Sequence, residues 1–173
     1  MFEFFTNFTQ ALGSDFYQEL LRALQTGLIV SIKLIIPSAS LGLLLGIVVG
    51  TIRTFGNSLF KRLGNFYASL FRGTPLVVQL MVLYYGLPNL GIYLDAYMAA
   101  VLGFTMCSAA YHSEYIRGGL KSIKRGQLQA ARALGFSTTQ ALASIVVPQA
   151  VRRALPGCGN EIIYLIKYSS LAY

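Results

Sequence analysis

GQLQAARALGFSTTQALASIVVPQAVRRALP, residues 126–156, decides how the rest of the chain is read, because it cannot cross a bilayer yet lies among runs that can. Leu128, Ala131 and Leu134 share one helical stripe over residues 127–134. Gly135 follows, where a helix stops at a residue that tolerates positive φ. Ser137 and Thr138 offer N-cap oxygens for a second helix over residues 139–147, which Pro148 is predicted to terminate. The apolar run at 141–147 has seven residues, against the roughly 20 that a spanning helix needs. The segment is therefore predicted to lie outside the membrane as a docking element.

Composition sets the context. Of 173 residues, 55% are hydrophobic and 12% charged, and the mean hydropathy is +0.59. Such a chain is too apolar for an ordinary soluble domain and reads as an all-α polytopic membrane protein. The net charge of +8 sits on basic residues that flank hydrophobic runs on one predicted side, with no aromatic-interleaved patch. Membrane topology explains that charge, and no nucleic-acid partner is expected. Cys107 and Cys158 have neither metal-ligand spacing nor a disulfide framework, and they read as packing residues. The N-terminus lacks a basic n-region, so no removable signal peptide is expected and the first spanning helix serves as the insertion signal.

Residues 1–26 mix Phe2, Phe4, Phe5, Phe8, Phe16 and Tyr17 with Glu3, Asp15 and Glu19. This suits either an interfacial, periplasmic helix or a terminus with aromatic anchors. A first span is predicted at about 27–51, interrupted by Lys33 and Pro37, with Gly42, Gly46 and Gly50 lined up for close approach of a neighbouring helix. Arg53, Lys61 and Arg62 then mark the cytoplasm, which puts the N-terminus outside. Further spans are predicted at about 75–88 and 96–117, with a fourth starting over 155–173 and a cytoplasmic loop at 118–154. Gly73 and Pro75 break the helical pattern before residue 76, and a break at membrane depth is tolerated only against protein or a water-filled cavity. Asp95 is a predicted N-cap, and Gly118-Gly119 are predicted to stop the helix after Arg117.

Ionisable and polar groups within spans are candidates for a translocation path. Here they are Lys33, Tyr111, His112 and Glu114. Three of them also have a plainer role. Lys33 can snorkel to the headgroups, His112 can be a packed, hydrogen-bonded residue, and Glu114 can pair with Arg117 at i, i+3. No catalytic constellation, metal-ligand set or phosphate-binding loop is present in the sequence.

Five motifs can now be named together: FRGTPLVVQ at 71–79, LYYGLP at 83–88, SEYIRGG at 113–119, QAARALG at 129–135 and VPQA at 147–150. In this order they resemble a permease subunit of a binding-protein-dependent ABC importer of the polar amino acid uptake family, the histidine, glutamine and arginine type. The similarity runs from about residue 27 to the end. It implies a type I importer transmembrane domain in a bacterial inner membrane, incomplete at the C-terminus. It also implies a separate ATPase subunit that binds ATP and Mg, a second permease subunit, identical or paralogous, and an external substrate-binding protein. This chain itself is expected to bind no cofactor.

The resemblance makes the loop a coupling helix that inserts into the ATPase, with Gln129, Ala130, Ala131 and Gly135 as contact positions and Pro148 ending the supporting helix. Two departures stand out. The family usually has glutamate where this chain has Gln129, so a charge-assisted contact becomes a neutral one. KYSSL at 167–171 resembles the family's Lys-Asp-Thr-Ser-Leu stretch, after which members continue, so a truncated copy or fragment is expected. Two rival readings remain. A membrane assembly protein or non-transporting remnant needs the spans but no docking loop, whereas a membrane-embedded enzyme needs His112 and Glu114 to converge.

Overall fold

The computed structural model describes residues 14–172, and among them all regular structure is helical. The helices are α1 (Ser14–Phe55), α2 (Ser58–Gly73), α3 (Leu76–Met81), α4 (Ala96–Lys121), α5 (Arg125–Ala133), α6 (Thr138–Ala141) and α7 (Val147–Tyr168). Two compact units divide after Lys33. In the first, residues 14–33 are helical and present Leu21, Leu24 and Leu28 outward. Phe16 and Tyr17 meet edge to face at 5.8 Å. The helix has thus formed from Ser14, well inside the segment predicted to precede the first span. The aromatic residues Phe2, Phe4, Phe5 and Phe8 lie outside the described residues.

The second unit is built on α4. Its N-terminus forms as predicted, with Asp95 Oδ1 accepting from Met98 N at 2.8 Å. Ala, Gly and Ser dominate its buried face, because close helix packing leaves no room for larger side chains. Gly42, Gly46 and Gly50 of α1 lie against it: a Cβ on Gly46 would stand 2.4 Å from His112 Cβ, and one on Gly50 would stand 2.9 Å from Ser113 O. The predicted close-approach stripe is therefore a helix crossing. On another side α7 packs equally tightly, since a Cβ on Gly119 would meet Ala150 O at 2.6 Å.

Two predicted stops do not occur. α4 continues through Gly118 and Gly119 to Lys121, because the glycine at 119 is needed for the crossing with α7 and not for a turn. Pro148 does not end a helix either. Residues 142–146 widen into a π-helical turn and α7 then starts with the proline in its first turn. A wider turn removes the clash of the ring with the preceding carbonyl, so the chain stays helical. Residues 147–154, predicted as loop, accordingly belong to α7, which also runs through Pro156.

Among the described residues, one helix is by length and composition apolar enough to cross a membrane, Phe16–Phe55. The pair Ser58–Gly73 and Leu76–Leu90 passes only when taken together, bent by 103° at the break. The span predicted at 96–117 falls within α4, and residues 155–168 of the one predicted at 155–173 fall within α7; both helices are less apolar than α1.

Candidate functional site

The break between α2 and α3 is the feature from which the site grows. α2 ends at Gly73, Thr74 is extended at φ −108° and ψ 137°, and Pro75 follows at φ −59° and ψ 138°. A helix end leaves carbonyls without partners. Gln79, 8% exposed, supplies them: its Nε2 donates to Phe71 O and Thr74 O, both at 2.9 Å, and lies 3.0 Å from Thr74 Oγ1. The glutamine side chain thus straps the two sides of the break together.

Beneath the break lies a cavity of about 630 Å³. Its walls include Gly73, Thr74 and Pro75 from the break, Tyr111 and Tyr115 from α4, and Tyr164 and Tyr168 from α7. Glu161 of α7 also lines it and is only 5% exposed. Among the described residues that carboxylate forms no ion pair. An unpaired carboxylate among tyrosine faces is a setting that favours a cation. The volume lies within the range of about 300–1,000 Å³ common for small-ligand sites.

Adjacent to the cavity is a charge cluster centred on Glu114. Arg117 donates to Glu114 Oε1, the predicted i, i+3 pair. Two further arginines reach Oε2, Arg53 at 2.8 Å and Arg72 at 3.2 Å. Arg53 is held on three sides, since it also donates to Asn65 Oδ1 at 2.9 Å and Ser113 Oγ at 2.8 Å. The cluster ties the end of α1 to α2 and α4. Sequence reasoning missed Arg53 and Arg72 here. Arg72 stands within the motif at 71–79 and Arg53 was read only as a cytoplasmic marker, and neither spacing indicates a contact.

The four path candidates separate. Tyr111 lines the cavity, with the Arg72 guanidinium 5.5 Å from its ring centroid. His112 is 1% exposed, and its Nδ1 lies 2.9 Å from Ser108 O and 3.0 Å from Ser108 Oγ. It is therefore packed under Gly46 and is not among the residues that line the cavity. Glu114 lines a separate recess and not the main cavity, and Lys33 belongs to the other compact unit. His112 and Glu114 do not converge, because each is engaged by different partners.

The hairpin predicted to dock is α5, α6 and the turn between them. Gly135 has φ +87°, Phe136 N donates to Ala131 O at 3.1 Å, and Gly135 N donates to Arg132 O at 3.0 Å. These two bonds close a Schellman turn that only a residue at ease with positive φ can end. Ser137 caps α6 in a reciprocal capping box with Gln140. Gln129, Ala130 and Gly135 are exposed, and so is Leu134. Ala131, predicted as a contact position, is 2% exposed, because it faces into the hairpin on the stripe it shares with Leu128. It supports the turn and does not present a surface. Pro148, likewise named for docking, sits in the first turn of α7.

A helix bundle with a broken helix over a cavity and an exposed helical hairpin is the transmembrane domain of a type I ABC importer. The chain belongs to the family of binding-protein-dependent transport system inner membrane components, whose model matches residues 42–173. It is 42% identical over 146 residues to the arginine transport system permease protein ArtQ of Bacillus subtilis, covering 84% of this chain and 67% of that one. It is 44% identical over 134 residues to a probable amino-acid ABC transporter permease protein, PatM, of Vibrio harveyi, covering 76% and 60%. A solved amino acid ABC transporter with histidines superposes with a TM-score of 0.83 at 33% identity, covering 90% of this chain and 73% of that one. The chain thus spans about 60–67% of the length of these two curated relatives.

Proposed function

We propose that this chain is a multi-pass permease subunit that forms the translocation path of an ATP-driven importer of a polar L-amino acid, with its N-terminus outside. The carrying observation is the cavity under the α2–α3 break, where buried Glu161 stands among tyrosines. The carboxylate faces the ammonium group of a substrate, and the aromatic faces stabilise the same positive charge. ATP and Mg bind a separate subunit, and this chain supplies no catalytic group. Residues Gln129, Ala130 and Gly135 dock that ATPase, while a second permease subunit and an external binding protein complete the importer. Relatives named as arginine and amino-acid permeases support the substrate class.

Uptake of radiolabelled L-arginine, L-glutamine and L-histidine by vesicles holding the assembled importer tests this reading. Glu161→Gln is expected to lower uptake at least tenfold while the ATPase still copurifies. Unchanged uptake in that variant overturns the cavity as the path.

A further inference from the structure

The cluster around Glu114 holds more positive charge than its single carboxylate balances, and the three arginines are not equivalent. Arg53 is 7% exposed and fixed by three side-chain bonds, and Arg117 is paired within its own helix. Arg72 has the longest approach to Glu114, 3.2 Å, and the most exposed side chain, 38%. Of the three it alone lines the cavity, where Glu161 is the one acidic residue among those described. Glu114 keeps a partner on each oxygen if Arg72 leaves. Arg72 is therefore the member of the cluster that can change partners without stranding a buried charge.

We propose that Arg72 is the anchor for the α-carboxylate of the transported amino acid, giving up its place beside Glu114 when substrate enters the cavity. This rests on the reading of that cavity as the substrate site. A guanidinium pairs with a carboxylate through two parallel N–H donors, a geometry that an ammonium or a hydroxyl does not reproduce. With Glu161 on the same cavity, the site offers one positive and one negative group, which complements a zwitterion and discriminates against a simple amine. The aromatic ring of Tyr111 beneath Arg72 keeps the guanidinium at the wall as it moves.

Cys107 lines the same cavity, so the rate of its maleimide labelling reports occupancy. The full chain is purified in detergent with Cys158→Ser to leave one thiol. Labelling is followed with three pairs of probes that differ only in the carboxylate: L-arginine and agmatine, L-glutamine and 4-aminobutanamide, L-histidine and histamine. At least one amino acid is expected to protect Cys107 at a concentration about ten- to hundredfold below that of its amine, the factor a charge-assisted pair supplies. Arg72→Gln is expected to erase that gap and Arg72→Lys to keep part of it. A gap that survives Arg72→Gln overturns the proposal, as does an unchanged gap in Arg72→Lys should the glutamine variant not fold. Equal protection by acid and amine in the parent protein overturns Arg72 and leaves the cavity standing. No protection by any probe overturns both. If Arg72 were only a structural partner of Glu114, its replacement would lower thermal stability without moving the gap.

Discussion

Arg53 and Glu114 are 61 positions apart in the chain, and their Nη2 and Oε2 atoms lie 2.8 Å apart. The pair fixes the end of α1 against α4 at a point where Gly50 already brings the backbones together. Breaking a fully buried pair by removing one partner costs about 3–5 kcal/mol, chiefly because the other charge is left stranded. Glu114 is 24% exposed, so the lower part of that range applies.

The cluster therefore predicts an order of destabilisation. Glu114→Gln leaves three guanidiniums without a counter-charge and is expected to cost about 3 kcal/mol, Arg53→Gln about 2 kcal/mol, and Arg72→Gln under about 1 kcal/mol, given its exposure. Unfolding of the detergent-solubilised chain measures all three. Should Arg72→Gln prove as damaging as Glu114→Gln, the three arginines act as one inseparable unit.

Gln79 predicts a change that is local to the break. Gln79→Leu removes the donors from Phe71 O and Thr74 O and is expected to cost about 1–3 kcal/mol. Gln79→Glu should cost more, because an ionised carboxylate cannot donate and would face two carbonyl oxygens. Since Cys107 Sγ lies 3.9 Å from Phe71 O, both variants should label faster at Cys107. Unaltered labelling in both would show that the break holds its shape without the strap.

Glycines along α1 and at the break separate packing from backbone freedom. Gly46→Ala places a Cβ 2.4 Å from His112 Cβ, and relief requires one of two packed helices to move. A loss of several kcal/mol is expected, of the order of overpacking penalties of about 1–3 kcal/mol or more. Gly73→Ala meets nothing within 4 Å and needs no positive φ. It should change stability by less than about 1 kcal/mol. The break is then enforced by Thr74, Pro75 and Gln79, although Gly73 was singled out from the sequence. A Gly73→Ala variant that straightens or unfolds the segment would reverse that assignment.

What the sequence makes legible is what local chemistry decides. Asp95, Gly135 and Ser137 act within four residues of themselves, and each is found in the predicted role. Pro148 and Gly118-Gly119 were misread because their usual local meaning, a stop, is overridden by packing between α4 and α7 and by a widened turn. The Arg53–Glu114 pair and the Gln79 strap were beyond reach, since nothing in a one-dimensional pattern says which polar residues of three different helices will meet. Tyr111 was found as a polar residue at depth, whereas Glu161 was not among the residues singled out for the path.

The docking hairpin yields the last prediction. Gly135 holds φ +87° with open space around its Cα, so any penalty from a side chain there is backbone strain and not a clash. A β-branched residue in that region costs about 1–2 kcal/mol or more, and asparagine much less. Gly135→Val should therefore unwind the Schellman turn, release Phe136 from Ala131 O and loosen the hairpin, while α4 and α7 stay in place. Membrane insertion and thermal stability should change little, but uptake by the assembled importer should fall at least tenfold relative to its ATP hydrolysis. Gly135→Asn should retain most of the coupling. Equal transport in the valine and parent proteins would show that the turn carries no mechanical load, and a valine variant that fails to insert would show that the hairpin is needed for folding instead.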